Sequence, residues 1–231
     1  MKYLIVNADD FGASRGINRA VLELHQRGVL TSTSLMIDLP AAADAVERAS
    51  REPALGIGLH VMLTTEDFVP LVDFNDRSRC AAELENQLDR FQAALGRLPT
   101  HLDSHHNVHR DPRLAPLFVE FAGRHRLPLR GHSPARYFAD FYGQREGGET
   151  HPEGIGVESL LRMLASELHE GMTEFSCHPG YMDPDFKSVY HAEREIELKT
   201  LSDPRFPAFL AEQRVALITF RDVPGTGGET P

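Results

Sequence analysis

Nine consecutive residues, His101-Leu-Asp-Ser-His-His-Asn-Val-His109, carry four histidines and one carboxylate. Neutral imidazole and carboxylate are the groups that zinc and other borderline divalent ions take as ligands. In an extended segment successive side chains face opposite ways, so His101, Asp103 and His105 form one polar row while Leu102 and Ser104 take the other face. A purification-tag remnant would sit at a terminus and would not interleave Leu, Asp and Val. The stretch therefore reads as a metal or catalytic site, against the plainer alternative of a solvated loop.

Other groups of the same chemistry are spread along the chain. Asp9 and Asp10 follow an apolar run, and His60, Arg130 and His178 each stand at or just past the end of a strand-like segment. Two histidines and one carboxylate leave ligand positions open for water and substrate, the mark of a catalytic rather than a structural ion site. Asp10, His60 and His105 are the expected ligands. Asp9 is the expected base, accepting a proton from water, although an aspartate pair at this place also suits a helix cap or a turn. His178 titrates near physiological pH and is the expected acid for a leaving amine; a histidine ahead of Pro179-Gly180 is otherwise a turn residue. Cys177 and His178 are adjacent on a strand and point apart, so they form no thiol dyad, and Cys177 reads as core. Arg130 either pairs with Asp9 and keeps it ionised or lies on the surface. His106 and His109 are candidate substrate contacts or supports for the ligands; His25, His125, His151, His169 and His191 read as surface or structural.

The elements that must bring these groups together alternate along the chain. Strands are expected at residues 2–8, 31–37, 55–61, 99–103, 127–130, 173–177 and 215–220. Helices are expected at 15–27 (capped by Ser14 and stopped by Gly28), 41–51, 79–95 (closed by Gly96), 112–124 and 157–170, with two more helical runs before the last strand. Residues 131–152 read as irregular and aromatic-rich. Strands alternating with helices imply parallel βαβ units, whose strand ends share one face. Asp9 and Asp10, His60, His105, Arg130, His178 and the pair Arg221-Asp222 all fall at such ends. Chemistry on so many strands suits a ring better than one crevice, so the expected fold is α/β, a distorted (β/α) barrel of about seven parallel strands, closed or nearly closed.

The chain has 231 residues, 41% hydrophobic and 25% charged, with no linker-like stretch dividing it. Residues 1–223 are expected to form one catalytic domain and 224–231 a fraying tail. The formal net charge of −10 repels phosphate backbones and anionic lipid, so nucleic acid and membrane partners are not expected and a neutral or cationic substrate is. The apolar N-terminal run is too short for a signal core, and nothing approaches a membrane span. Two cysteines are too few for a disulfide framework and fit a cytoplasmic protein.

Taken in order, Asn7-Ala-Asp-Asp-Phe-Gly12, Gly58-Leu-His60, the 101–109 stretch, Ser176-Cys-His-Pro-Gly180 and Phe220-Arg-Asp-Val223 resemble the YdjC-like carbohydrate deacetylases, including chitooligosaccharide deacetylase, nearly end to end. The resemblance implies a distorted (β/α) barrel, one divalent ion (zinc or magnesium, with manganese, cobalt or nickel as alternatives) and hydrolysis of the N-acetyl group of an amino sugar. It also implies a homodimer. Asp10, His60 and His105 match the ligands, Asp9 the base and His178 the acid; Arg130 matches less closely. Two departures stand out: Asn107 where the family often has a histidine, and a short segment after His60. Tyr137, Phe138, Phe141, Tyr142, Tyr181 and Tyr190 are the available sugar-stacking platforms. A metal-dependent phosphoesterase or another amidohydrolase is the rival enzyme, disfavoured by few Lys or Arg near the expected mouth. A carbohydrate- or metal-binding protein without catalysis is the rival of another class.

Overall fold

Leu4 to Val6 is fully buried on both faces, the situation of a central parallel strand covered by helices. This run is the middle of β1 (Lys2–Phe11). A computed structural model describes residues 1–145, 147–184 and 186–225; residues 226–231 of the expected tail lie outside the described residues. The other strands are β2 (Ser32–Leu35), β3 (Gly56–Val61), β4 (Leu102–Ser104), β5 (Arg136–Phe138), β6 (Gly171–Cys177) and β7 (Val215–Leu217). The helices are α1 (Arg15–Gln26), α2 (Ala42–Ala49), α3 (Arg77–Leu95), α4 (Ala115–His125), α5 (Val157–Glu167), α6 (Ala192–Leu201) and α7 (Arg205–Glu212).

Among the described residues the seven strands form one parallel sheet in the order β4-β3-β2-β1-β6-β5, with β7 also on β1. The sheet curls into a distorted half-barrel. The expected strand at 127–130 is a single bridge: Leu102 N–H donates to Pro128 O and Arg130 N–H to Leu102 O. Left-handed backbone at Arg126 (φ 55°) and Gly131 (φ 73°) confines it. A strand, β5, forms instead inside the region expected to be irregular and pairs with Thr173 to Phe175 of β6. An apolar core runs continuously from Leu4 to Leu210 between the strands and the surrounding helices.

Register explains why the concave face is polar. Asn7 stands opposite Ser32 and Ser176, Ser34 opposite Gly58, and His60 opposite Asp103. Side chains alternate along each strand, so Asn7, Asp9, Ser34, His60, His101, Asp103, Glu174 and Ser176 share one face while Leu4, Val6 and Ala8 meet the helices. β2 and β7 divide one edge of β1, β7 pairing only with Lys2 to Leu4. The end of β7 therefore lies far below Asp9. Arg221, expected at the active face, instead donates to the Ala54 and Leu55 carbonyls at the entry to β3, and Asp222 caps Thr219.

His101, at the start of the polar row, is a structural residue. Its ring stacks on Phe220 at 3.8 Å, and burial holds it neutral with a pKa lowered to about 3. It also lies across Gly58, where an added Cβ would meet the ring at 2.4 Å. Gly58→Ala is expected to destabilise the protein by about 2–3 kcal/mol through overpacking, read as a lower urea midpoint.

Candidate metal centre and active site

Two adjacent carboxylates can both reach the cavity only if the strand is broken between them. β1 does this with an irregularity between Ala8 and Phe11 and with Asp10 in the left-handed region at φ 65°, which aspartate tolerates better than most residues. Asp9 stays on the concave face and Asp10 swings beside it; both line the cavity at the strand ends.

Asp10 Oδ1 lies 3.4 Å from His60 Nε2 and 3.2 Å from His105 Nδ1. An ion with bonds of about 2.1 Å sets its neighbouring ligands about 3.0–3.4 Å apart, so the spacing fits one shared cation. The other ring nitrogens also face carboxylates: His60 Nδ1 is hydrogen-bonded to Asp103 Oδ1 at 2.7 Å, which fixes its ring, and His105 Nε2 lies 3.2 Å from Glu66 Oε1. A second grouping, Asp9, His60 and Asp103, does not fit an ion, because the Arg130 guanidinium already bridges its two carboxylates. Burial would lower the His60 pKa, but the Asp103 charge and the hydrogen bonds that the ring donates to Asp10 and Asp103 push it up to about 10. The carboxylates that favour a protonated imidazole here would equally favour a divalent cation in place of its proton.

Arg130 is wholly buried. It donates through both Nη atoms to Asp9 at 2.7 Å and through Nε to Glu174 at 2.6 Å, and its Nη2 lies 2.8 Å from Asp103. The surface-arginine alternative is therefore excluded, and the pairing with Asp9 is found. Burial would raise the Asp9 pKa; the Arg130 charge and hydrogen bonds overcome it and hold the carboxyl below its ordinary range. Glu174 gains less from Arg130 than it loses by burial and rises to about 7.

His178 stands across the cavity, its Nε2 3.8 Å from Asp9 Oδ2. Tyr142 and Tyr190 meet its ring edge-on, each at 5.6 Å. Glu197 accepts from its backbone N–H and lies 4.0 Å from its Nδ1. Burial lowers the His178 pKa against the pull of Asp9 and Asp10, so the ring is neutral at neutral pH. Cys177 is buried in the core as expected. His109 supports rather than contacts substrate: it is buried, with Nδ1 2.7 Å from Ser104 Oγ, and burial lowers its pKa to about 3. His106 and Asn107, both left-handed, line the cavity.

The cavity has a volume of about 380 Å³, within the range of small-molecule sites. Of the expected aromatic platforms, Tyr137, Tyr142 and Tyr190 line it. Phe138 and Phe141 are core, and Tyr181 lies elsewhere under the Arg19 guanidinium. Phe68, outside the expected set, takes a place on the wall, stacked on His106 at 3.7 Å. Also beyond the sequence reading are Glu66, Arg194 and Glu197; charged residues in a loop or on a helix look like solvated surface. Asp103 and Glu174 did carry a signal, being charges inside apolar strand segments. Lys and Arg are few at the mouth, as expected: of the described residues lining the cavity Arg194 alone is one, and it donates to Asp10 Oδ2 at 2.7 Å.

Fold and site together define a (β/α) half-barrel protein with a buried cluster of imidazoles and carboxylates at its strand ends. The model of the YdjC-like protein family matches residues 3–212, and the chain belongs to that family. A carbohydrate deacetylase of Geobacillus stearothermophilus is 38% identical, covering 96% of this chain and 98% of the relative. A chitooligosaccharide deacetylase of Yersinia pestis is 32% identical, covering 96% and 99%. A crystal structure from Enterococcus faecalis, provisionally named for cellobiose-phosphate cleavage, superposes with a TM-score of 0.82 at 27% identity over 95% of this chain and 97% of that one. A family 4 carbohydrate esterase of Streptomyces lividans shares the fold, with a TM-score of 0.59 at 13% identity over 99% and 98%. No helix among the described residues is long and apolar enough to cross a membrane.

Proposed function

We propose that the protein is a metal-dependent carbohydrate deacetylase that hydrolyses the N-acetyl group of an amino sugar or short oligosaccharide, N-acetylglucosamine and chitooligosaccharides being the first candidates. The observation that carries the reading is the pair of histidines that each turn one ring nitrogen to Asp10 and the other to a carboxylate, Asp103 or Glu66. The names of the relatives agree with it.

Asp10, His60 and His105 would hold one divalent ion, which supplies Lewis-acid polarisation of the acetamide carbonyl and of water. Asp9, kept ionised by Arg130, accepts a proton as the water oxygen bonds to the carbonyl carbon. His178 delivers a proton to nitrogen as the C–N bond breaks, giving acetate and a free amine. Because His178 is neutral at rest, its proton is gained during turnover, and Asp9 at 3.8 Å is the adjacent source. Tyr137, Tyr142, Tyr190 and Phe68 offer faces for sugar rings. Arg130 and Arg194 are committed to carboxylates, which weighs against a phosphoesterase; a binding module would need neither base nor acid beside the ion. We keep the expected homodimer as part of this reading.

The test is a chelator-dialysed protein to which Zn, Mg, Mn, Co or Ni is restored singly, with acetate release assayed on N-acetylglucosamine, its oligomers and related N-acetylated sugars. Turnover is expected to vanish with the ion and return with at least one of them. Full activity in chelator would remove the metal role, and no acetate from any sugar would remove the deacetylase.

A further inference from the structure

Asp10 offers two oxygens, and the fold assigns them to different partners. Oδ1 faces His60 Nε2 and His105 Nδ1 at 3.4 and 3.2 Å, while Oδ2 accepts from Arg194 Nη2 at 2.7 Å. We infer that Arg194, by holding Oδ2, restricts Asp10 to a single metal-binding oxygen and so keeps coordination positions open for water and the substrate carbonyl. This rests on the proposed ion at Asp10, His60 and His105.

Arg194 is built for that contact. It comes from α6, is 4% exposed, and runs its stem over Gly180, where an added Cβ would come within 3.1 Å of Arg194 Cδ. Gly180 N–H donates back to the Arg194 carbonyl, so the loop after His178 and the helix fix one another. The guanidinium is thus tied to the segment that presents His178. Neither a lysine nor a solvated arginine would hold one carboxylate oxygen so firmly, because the planar fork loses less freedom per hydrogen bond.

The arrangement has two opposed consequences. A carboxylate free to bind through both oxygens would take a second position on the ion, one that hydrolysis needs for water or substrate. A positive charge touching the ligand also weakens the attraction between that ligand and a cation. Arg194 is therefore a positioning residue whose loss strengthens ion binding while it slows turnover. A residue serving stability alone would weaken both together.

The experiment compares the full-length protein with R194Q and R194M, both prepared metal-free and checked for folding by circular dichroism. Zinc affinity is measured by competition with a chelator, cobalt substitution is followed by visible absorption, and kcat and KM for acetate release are measured separately. Both variants are expected to bind zinc about tenfold more tightly. Their cobalt bands should weaken as the coordination number rises, and kcat should fall at least about 30-fold with KM within about threefold. Unchanged or weaker zinc binding in the folded variants, or unaltered kcat, would overturn the inference. If the parent protein bound no divalent ion, the metal reading itself would fall and the inference with it, a result distinct from failure in the variants alone. Should neither neutral variant fold, R194K decides: its flexible, shorter stem keeps the charge but holds Oδ2 less rigidly than the planar fork, so zinc binds more tightly and the cobalt bands weaken, and parental values for both would overturn the inference.

Discussion

Arg130→Met is expected to cost about 3–5 kcal/mol of stability at pH 8 and to reduce turnover by about 10³-fold. The guanidinium is the shared counter-charge of Asp9, Asp103 and Glu174, and removing one partner of a buried ionic network leaves uncompensated charge. The pH dependence has a definite sign. In the parent, Asp9 and Asp103 have depressed pKa values, so their contribution to stability is present above the ordinary carboxylate range and is lost as pH falls through the folded values. Without Arg130, burial prevails and the same groups titrate above that range; they then destabilise the fold when ionised, and stability recovers as they take up protons. The gap between variant and parent should therefore narrow by about half between pH 8 and pH 5. Urea unfolding at the two pH values measures it. A gap independent of pH would mean that Arg130 acts through packing rather than charge.

His60→Asn is expected to weaken zinc binding at least about 10³-fold and to abolish measurable acetate release, because it removes one of the three proposed ligands. Asp103→Asn should do less, about 10- to 100-fold in affinity, since it acts through the orientation of the His60 ring. Protons report on the same site. With His60 raised to about 10 and His105 raised as well, a cation must displace protons from the two imidazoles. Zinc affinity should therefore climb with pH up to about 10, by as much as about tenfold per pH unit for each proton displaced. Calorimetry in buffers of different ionisation enthalpy counts those protons, and His60→Asn should release one fewer. Equal proton release in both proteins would place the ion elsewhere.

Much of this centre is legible in the chain before it folds. Asp10, His60 and His105 stand at strand ends, and parallel strands bring their ends to one face whatever the details of packing. Ser14 and Gly28 mark α1 to within a residue, since a hydroxyl cap and a left-handed stop are local devices. The strand at 127–130 shrinks to one bridge because flanking left-handed residues leave no room for a ladder. β5 forms because β6 offers an open edge to Arg136–Phe138, a circumstance no local pattern contains. Arg221 and Asp222 leave the active face because β7 pairs with the start of β1 rather than its end. Alternation tells which face a residue takes, whereas height along the barrel depends on register with a distant strand.

The sequence by itself determined most of the element types, the parallel curled sheet and that Asp9, Asp10, His60, His105 and His178 gather at its rim, because periodicity, caps and the shared direction of parallel strands are properties of short stretches. Only the tertiary structure decided how those groups divide their work. Burial and distances of a few ångströms join Arg130 to Asp9, Glu66 to His105, Arg194 to Asp10 and Phe68 to His106. These pairs are separated by 38 to 184 positions in the chain. Charge and hydrogen bonding act through space, so such partners have no spacing rule that a linear reading could use.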